Sequence, residues 1–169
     1  MIKGYKCFNK NLINRYGIPF EIGKIYSTNG EIKFGNNGNG FHMCVNLEDT
    51  LRYFDGFHDE IDICEVIGFG QYIMFEDYFY DYYDMYSFEK IQIIKKLSRE
   101  EIIELMLNTH EYRVIRFIQG YKLTQNEILL FKNKFANNIS ILNAISYYQE
   151  GDLDVYSKSN ITRIRKKNI

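Results

Sequence analysis

The spacing of hydrophobic and polar positions changes once along this chain, near residue 98. Before that point apolar residues alternate in short runs; after it they recur at helical intervals. Ile2 to Phe8 alternates and predicts an opening strand, with Tyr5 and Cys7 on one side and Lys6 and Phe8 on the other. Phe20, Ile22 and Ile25 flank Gly23-Lys24 and predict a short, bent strand. Asn29-Gly30 reads as a hairpin turn, because both residues tolerate φ > 0, with Ile32 and Phe34 on the return strand. A glycine-rich loop from Gly35 to Gly40 leads into the apolar stretch Phe41-His42-Met43-Cys44. Asn46 followed by Asp49 then predicts a capped amphipathic helix with Leu47, Leu51 and Phe54 on one face. Ile61 to Gly68, Tyr72 to Phe75, and a run through Phe88, Ile91, Ile93 and Ile94 predict three further strands.

The second part has a different grammar. Ser98-Arg99-Glu100-Glu101 and Thr124-Gln125-Asn126-Glu127 are both capping boxes, each after a leucine and before an isoleucine. The parallel continues through Val114-Ile115, Ile118 and Tyr121 against Ile141-Leu142, Ile145 and Tyr148. This is a degenerate repeat of about 26 residues, each copy a helical hairpin. The expected fold class is α+β: a small, mostly antiparallel sheet with one helix, followed by a four-helix C-terminal module of two helical hairpins. The expected organisation is a β-rich domain over 1–97, a helical module over 98–156 and a basic tail over 157–169.

Composition alters this picture mainly through its aromatic content, with 15 Tyr, 13 Phe and no Trp. Between Tyr53 and Glu89 there is no Lys or Arg, while acids accumulate among tyrosines. The proposed contact surface is Asp55, Asp59, Glu60, Asp77, Tyr78, Tyr80, Asp81, Tyr82, Tyr83 and Asp84. Tyrosine offers large contact area at small entropic cost, and carboxylates steer towards basic surfaces. A net charge of −1 argues against bulk attraction to nucleic acid or membrane. Three cysteines without CxxC spacing predict free thiols in a reducing compartment. No apolar run approaches a membrane span of roughly 18 residues, and the first residues lack a signal-peptide core. The expectation is a cytoplasmic protein.

Candidate chemistry is sparse. The glycine-rich loop lacks the Lys-Ser/Thr ending of a phosphate-binding loop and reads as a plain turn. His42 and Cys44 share a strand face and offer a metal-ligand or nucleophile–base pair. The other His and Cys residues show no ligand spacing, so no metal is expected. Glu65, inside an apolar strand, is a candidate general base if it points inward. Arg113 and Arg116, near Tyr112 and Lys122, are a candidate nucleic-acid contact diluted by neighbouring glutamates.

The motifs Lys3-Gly4-Tyr5-Lys6-Cys7-Phe8-Asn9, Phe20-Glu21-Ile22-Gly23-Lys24-Ile25-Tyr26, Gly40-Phe41-His42-Met43-Cys44 and Glu65-Val66 with Gly68 resemble an uncharacterised domain family of bacteriophages and low-GC bacteria. That resemblance covers a little over half the chain and implies a phage or mobile-element accessory protein. A more distant similarity is to ADP-ribosyltransferases, in which Lys6, His42 and Glu65 would occupy the catalytic places and NAD would be the cofactor. The chain departs from that pattern in having no Ser-Thr-Ser block and no paired Glu/Gln motif before Glu65. The expected function is a non-enzymatic, cofactor-free binder of a host protein with a basic surface, in concrete form an anti-CRISPR-like inhibitor of a host-defence nuclease complex. The alternatives are an NAD-using ADP-ribosyltransferase-like enzyme and a nucleic-acid module.

Overall fold

The computed structural model describes residues 1–34, 38–53, 60–75 and 85–151. Five strands, all but one isolated bridge antiparallel, precede four helices: β1 (Ile2–Asn9), β2 (Ile25–Ser27), β3 (Phe41–Cys44), β4 (Ile61–Phe75), β5 (Met85–Lys96), then α1 (Arg99–Leu107), α2 (Glu111–Gly120), α3 (Gln125–Lys134) and α4 (Ile139–Ile145). The α+β class and the order of its two parts are as the hydrophobic pattern predicts.

The sheet curls on itself. β4 pairs with β1 along one edge and with β5 along the other, while β3 bridges β5 and β1, so β1, β4, β5 and β3 close a ring. β2 extends the ring by pairing with β5. Inside lie Phe8, Met43, Cys64, Val66, Phe88, Ile91 and Ile93, with Leu12 and Phe20 from the loop after β1 completing the cluster. The closure between β1 and β3 rests on one register pair, Tyr5 with Cys44. Glycine permits this approach: a Cβ at Gly4 would run into the Cys44 carbonyl and the Met43 Cε.

The opposite face of the ring carries the helices. Cys7, Ile63, Leu47 and Leu51 meet Ile102, Val114, Phe117, Ile118, Phe131 and Ile141 in one buried cluster. Both capping boxes form as predicted, with Ser98 and Thr124 accepting from the backbone N–H of Glu101 and Glu127 and each glutamate reaching back to its cap. Arg99 ties the two copies together through Glu127 at 2.7 and 2.8 Å.

The β half departs from expectation in four places. The segment expected to be a helix after Asn46 is a 3-10 turn, Glu48–Tyr53, and the Asn46 side chain donates to the Asp49 carboxylate at 3.1 Å instead of capping. The expected hairpin at Asn29-Gly30 does not form, and Ile32 and Phe34 are not in a strand. There the Asn39 side chain replaces a partner strand, donating to the Asn29 and Glu31 carbonyls at 2.7 and 3.2 Å. The strand expected through Phe20 and Ile22 is reduced to isolated bridges, and only Ile25–Ser27 pairs continuously. Finally, the two strands expected over 61–75 are one, running through an irregularity between Phe69 and Tyr72 where Gly70 takes φ 82°. The bulge lets β4 bend without ending.

Candidate functional site

Because β1 and β3 meet at one register pair only, they part on either side of it and leave a cavity of about 450 Å3. Small-molecule sites are typically roughly 300–1,000 Å3. Its walls come from β1, the loop after it, β3 and the 3-10 turn, and include Lys6, Arg15, Phe20, Phe41, His42 and Tyr53. No carboxylate is found among the described residues that line it.

Lys6 reaches this cavity because strand alternation sends it to the same side as Phe8. Its Nζ donates to the His42 carbonyl oxygen at 2.7 Å and lies 5.6 Å from the centroid of the Phe8 ring. Burial lowers its pKa to about 8; the neighbouring Cys44 and Cys7 thiols oppose that and Arg15 adds to it. Arg15 donates to the Tyr16 hydroxyl at 2.6 Å and stacks over the same ring.

His42 stacks on Phe34 with centroids 5.2 Å apart. Burial takes its pKa down to about 4, helped by the charges of Lys6 and Arg15 and opposed by a hydrogen bond with the Lys33 backbone. The imidazole is therefore uncharged at neutral pH. Its Nε2 is buried without a hydrogen-bond partner among the described residues, as is the Oγ of Ser87, the residue opposite it on β5.

The thiols do not act with it. Burial pushes Cys7, Cys44 and Cys64 up to about 12, the Cys7 thiol also sharing a 2.9 Å contact with the Thr50 hydroxyl. A nucleophile–base pair of His42 and Cys44 would need a thiolate, and this environment opposes one. Among the described residues no group of three or more His, Cys, Asp or Glu is placed to hold a metal.

Glu65 lies elsewhere. It lines a second cavity, about 490 Å3, on the helical side of the sheet, together with Tyr5, Lys95, Glu101 and Arg113. Tyr5 and Lys95 are its direct cross-strand neighbours on β1 and β5. The structure thus brings Lys6 and His42 into one cavity and leaves Glu65 in the other, with Tyr5 contributing to both.

The other sequence candidates divide cleanly. Arg113 forms a two-pronged ion pair with buried Glu48 at 2.5 and 3.0 Å, and Arg116 pairs with buried Asp49 at 3.0 Å. These guanidinium groups join α2 to the 3-10 turn, which is a structural role. Of the residues expected to form an acidic, tyrosine-rich contact surface, Glu60 is exposed, whereas Asp55, Asp59, Asp77, Tyr78, Tyr80, Asp81, Tyr82, Tyr83 and Asp84 lie outside the described residues. Arg15 was not singled out from sequence. It sits in a polar loop with no periodicity, and only the folding of that loop towards β3 reveals it.

A half-closed antiparallel ring with a cation-lined cavity and a helical cover defines this chain as an α+β domain with a pocket in its sheet. It belongs to the family described as Domain of unknown function (DUF7666), whose model matches residues 2–105. The matched span ends within α1, so α2–α4 follow it. No curated protein and no solved structure matches the chain. No helix among the described residues is long and apolar enough to cross a membrane.

Proposed function

We propose that this protein binds a small organic anion in the cavity between β1 and β3. One observation carries the reading: Lys6 and Arg15 both face a cavity with no carboxylate among its described lining residues. A half-buried cation such as Lys6, with no counter-ion among the described residues, is held at a cost in free energy, and an incoming carboxylate or phosphate offsets that cost, with exposed Arg15 at the rim as a second contact. Phe20, Phe41 and Tyr53 add flat apolar surface for the body of the ligand. NAD is one anion of this kind, and the partnership of Lys6 with His42 favours it, although Glu65 stands in a separate cavity.

Calorimetric titration with inorganic phosphate, citrate, AMP and NAD tests the reading. At least one should bind the wild type and lose affinity at least about tenfold in Lys6→Met and in Arg15→Ala, as expected for a charge-assisted contact worth roughly 1.5–3 kcal/mol. Lys132→Ala, which removes only an exposed pair with Glu150, should bind as the wild type does. Failure of all four anions to bind, or equal binding by the double variant Lys6→Met/Arg15→Ala, would refute it.

A second reading has its own support. Tyr72 is 53 % exposed and Met74 and Phe75 are each 39 % exposed on the far end of β4, directly before the acidic stretch. Exposed apolar side chains that lead in sequence into an acidic stretch suit an occluding contact with a basic host protein, in the manner of an inhibitor carried by a phage or mobile element. Neutralising Asp77, Asp81 and Asp84 together should weaken such a contact and flatten its salt dependence, as measured by capture from host lysate at two ionic strengths.

A further inference from the structure

We infer that Lys6 is a reactive amine that forms an imine with the carbonyl group of a small anionic aldehyde or keto acid held in the β1–β3 cavity. This deepens the anion-binding reading and rests on it. Three features of the site support it. The Lys6 Nζ stands in a cavity large enough for a ligand. Among the described residues it is held by a hydrogen bond to the His42 carbonyl oxygen at 2.7 Å. None of the ion pairs formed by the described residues involves it, so no described carboxylate keeps it protonated.

A lysine desolvated beside another cation is the usual way a protein makes an amine nucleophilic near neutral pH. Arg15 supplies the second cation, and burial lowers the Lys6 ammonium to about 8. Relative to an ordinary lysine at 10.5, that gives about 300-fold more free amine at pH 7. The same Arg15 is placed to receive the ligand's carboxylate or phosphate, so one cation orients the ligand while the other amine reacts.

The step balances without a co-reactant. The nitrogen lone pair forms a C–N bond to the carbonyl carbon as the C=O π pair moves onto oxygen. The two amine hydrogens then leave with that oxygen as water, which gives the C=N bond. Nothing is oxidised or reduced, and hydrolysis returns amine and carbonyl.

The test uses the full chain with glyoxylate and cyanoborohydride, which reduces any imine to a stable secondary amine, followed by peptide mapping. At pH 7 Lys6 should be labelled at least about tenfold faster than exposed Lys24, whose pairing with Glu21 raises its pKa. Arg15→Ala should slow labelling by neutral formaldehyde a little, because the Lys6 amine loses a neighbouring cation, and slow labelling by glyoxylate much more, because the carboxylate loses its partner as well. Labelling of Lys6 no faster than Lys24, or equal slowing of both aldehydes by Arg15→Ala, overturns the inference. Glycolate, which has the carboxylate but no carbonyl, separates the two proposals in a calorimetric titration. If glycolate binds while Lys6 stays unlabelled, the imine is wrong and the anion site stands; if neither occurs, both are wrong. Because the site of labelling is read in the wild type, a variant that fails to fold does not remove the decision.

Discussion

The two sides of β1 treat their cations in opposite ways. On the helical side, Arg113 and Arg116 meet Glu48 and Asp49, two carboxylates that are almost wholly buried. On the inner side, half-buried Lys6 and exposed Arg15 face a cavity with no acid among its described lining residues. Taking a charge out of water is costly, and a partner inside the fold is the ordinary remedy. Where the partner is present, the charges join two elements. Where it is missing, the counter-charge is left for a ligand to bring. The contrast separates cations that hold this molecule together from cations available for binding.

Breaking the paired side should have the largest effect. Glu48→Ala leaves Arg113 against a buried surface without its two-pronged partner and should cost about 3 kcal/mol in denaturant unfolding. It should also loosen the 3-10 turn, and with it Thr50 and Tyr53, which form part of the cavity wall.

A pH titration of stability probes the unpaired side. The folded state holds the His42 pKa near 4, below the ordinary 6.5. Between those values the unfolded chain binds the proton and the folded chain does not, so stability rises with pH across that window and is lost as pH falls from 6.5 to 4. Allowing for the partly exposed ring, the loss should be about 2 kcal/mol, and His42→Asn should flatten that segment of the curve.

Two smaller effects sharpen the comparison. Ser98→Ala removes a capping oxygen from α1 and should cost about 1 kcal/mol, with no change in anion affinity. Lys6→Met replaces a cation with no ion-pair partner among the described residues by an apolar side chain of similar length. Unlike Glu48→Ala it should leave stability unchanged or raise it by about 1 kcal/mol, measured as the same denaturant midpoint.

What the sequence reveals follows the range of the interactions. The helical half was legible because its signals are local. The caps at Ser98 and Thr124 bond within three residues, and the apolar spacing repeats within a turn. The strand alternation of β1 correctly separated Lys6 and Phe8 from Tyr5 and Cys7. The ring closure was not legible, because Tyr5 meets Cys44 across a long span of chain and no local pattern encodes that register. Glu48 and Asp49 looked like the first turn of a capped helix, since their guanidinium partners lie more than sixty residues on. The hairpin signal at Asn29-Gly30 was overridden by a single side chain, Asn39, that satisfied the carbonyls a return strand would have paired. Of the three residues grouped by the ADP-ribosyltransferase resemblance, Lys6 and His42 share a cavity. Glu65 has the opposite parity to Lys6 on the paired strands, and its place across from Tyr5 puts it on the other side of the sheet.

Lys6 is a half-buried cation whose cavity is suited to an anion. Nitrogen-15 NMR of the lysine side chains, followed as a function of pH with and without a bound organic anion, measures this directly. The Lys6 ammonium should titrate near 8 in the free protein and move upward once the cavity is occupied. A Lys6 that titrates with the exposed lysines, or one that does not respond to any anion, would contradict it.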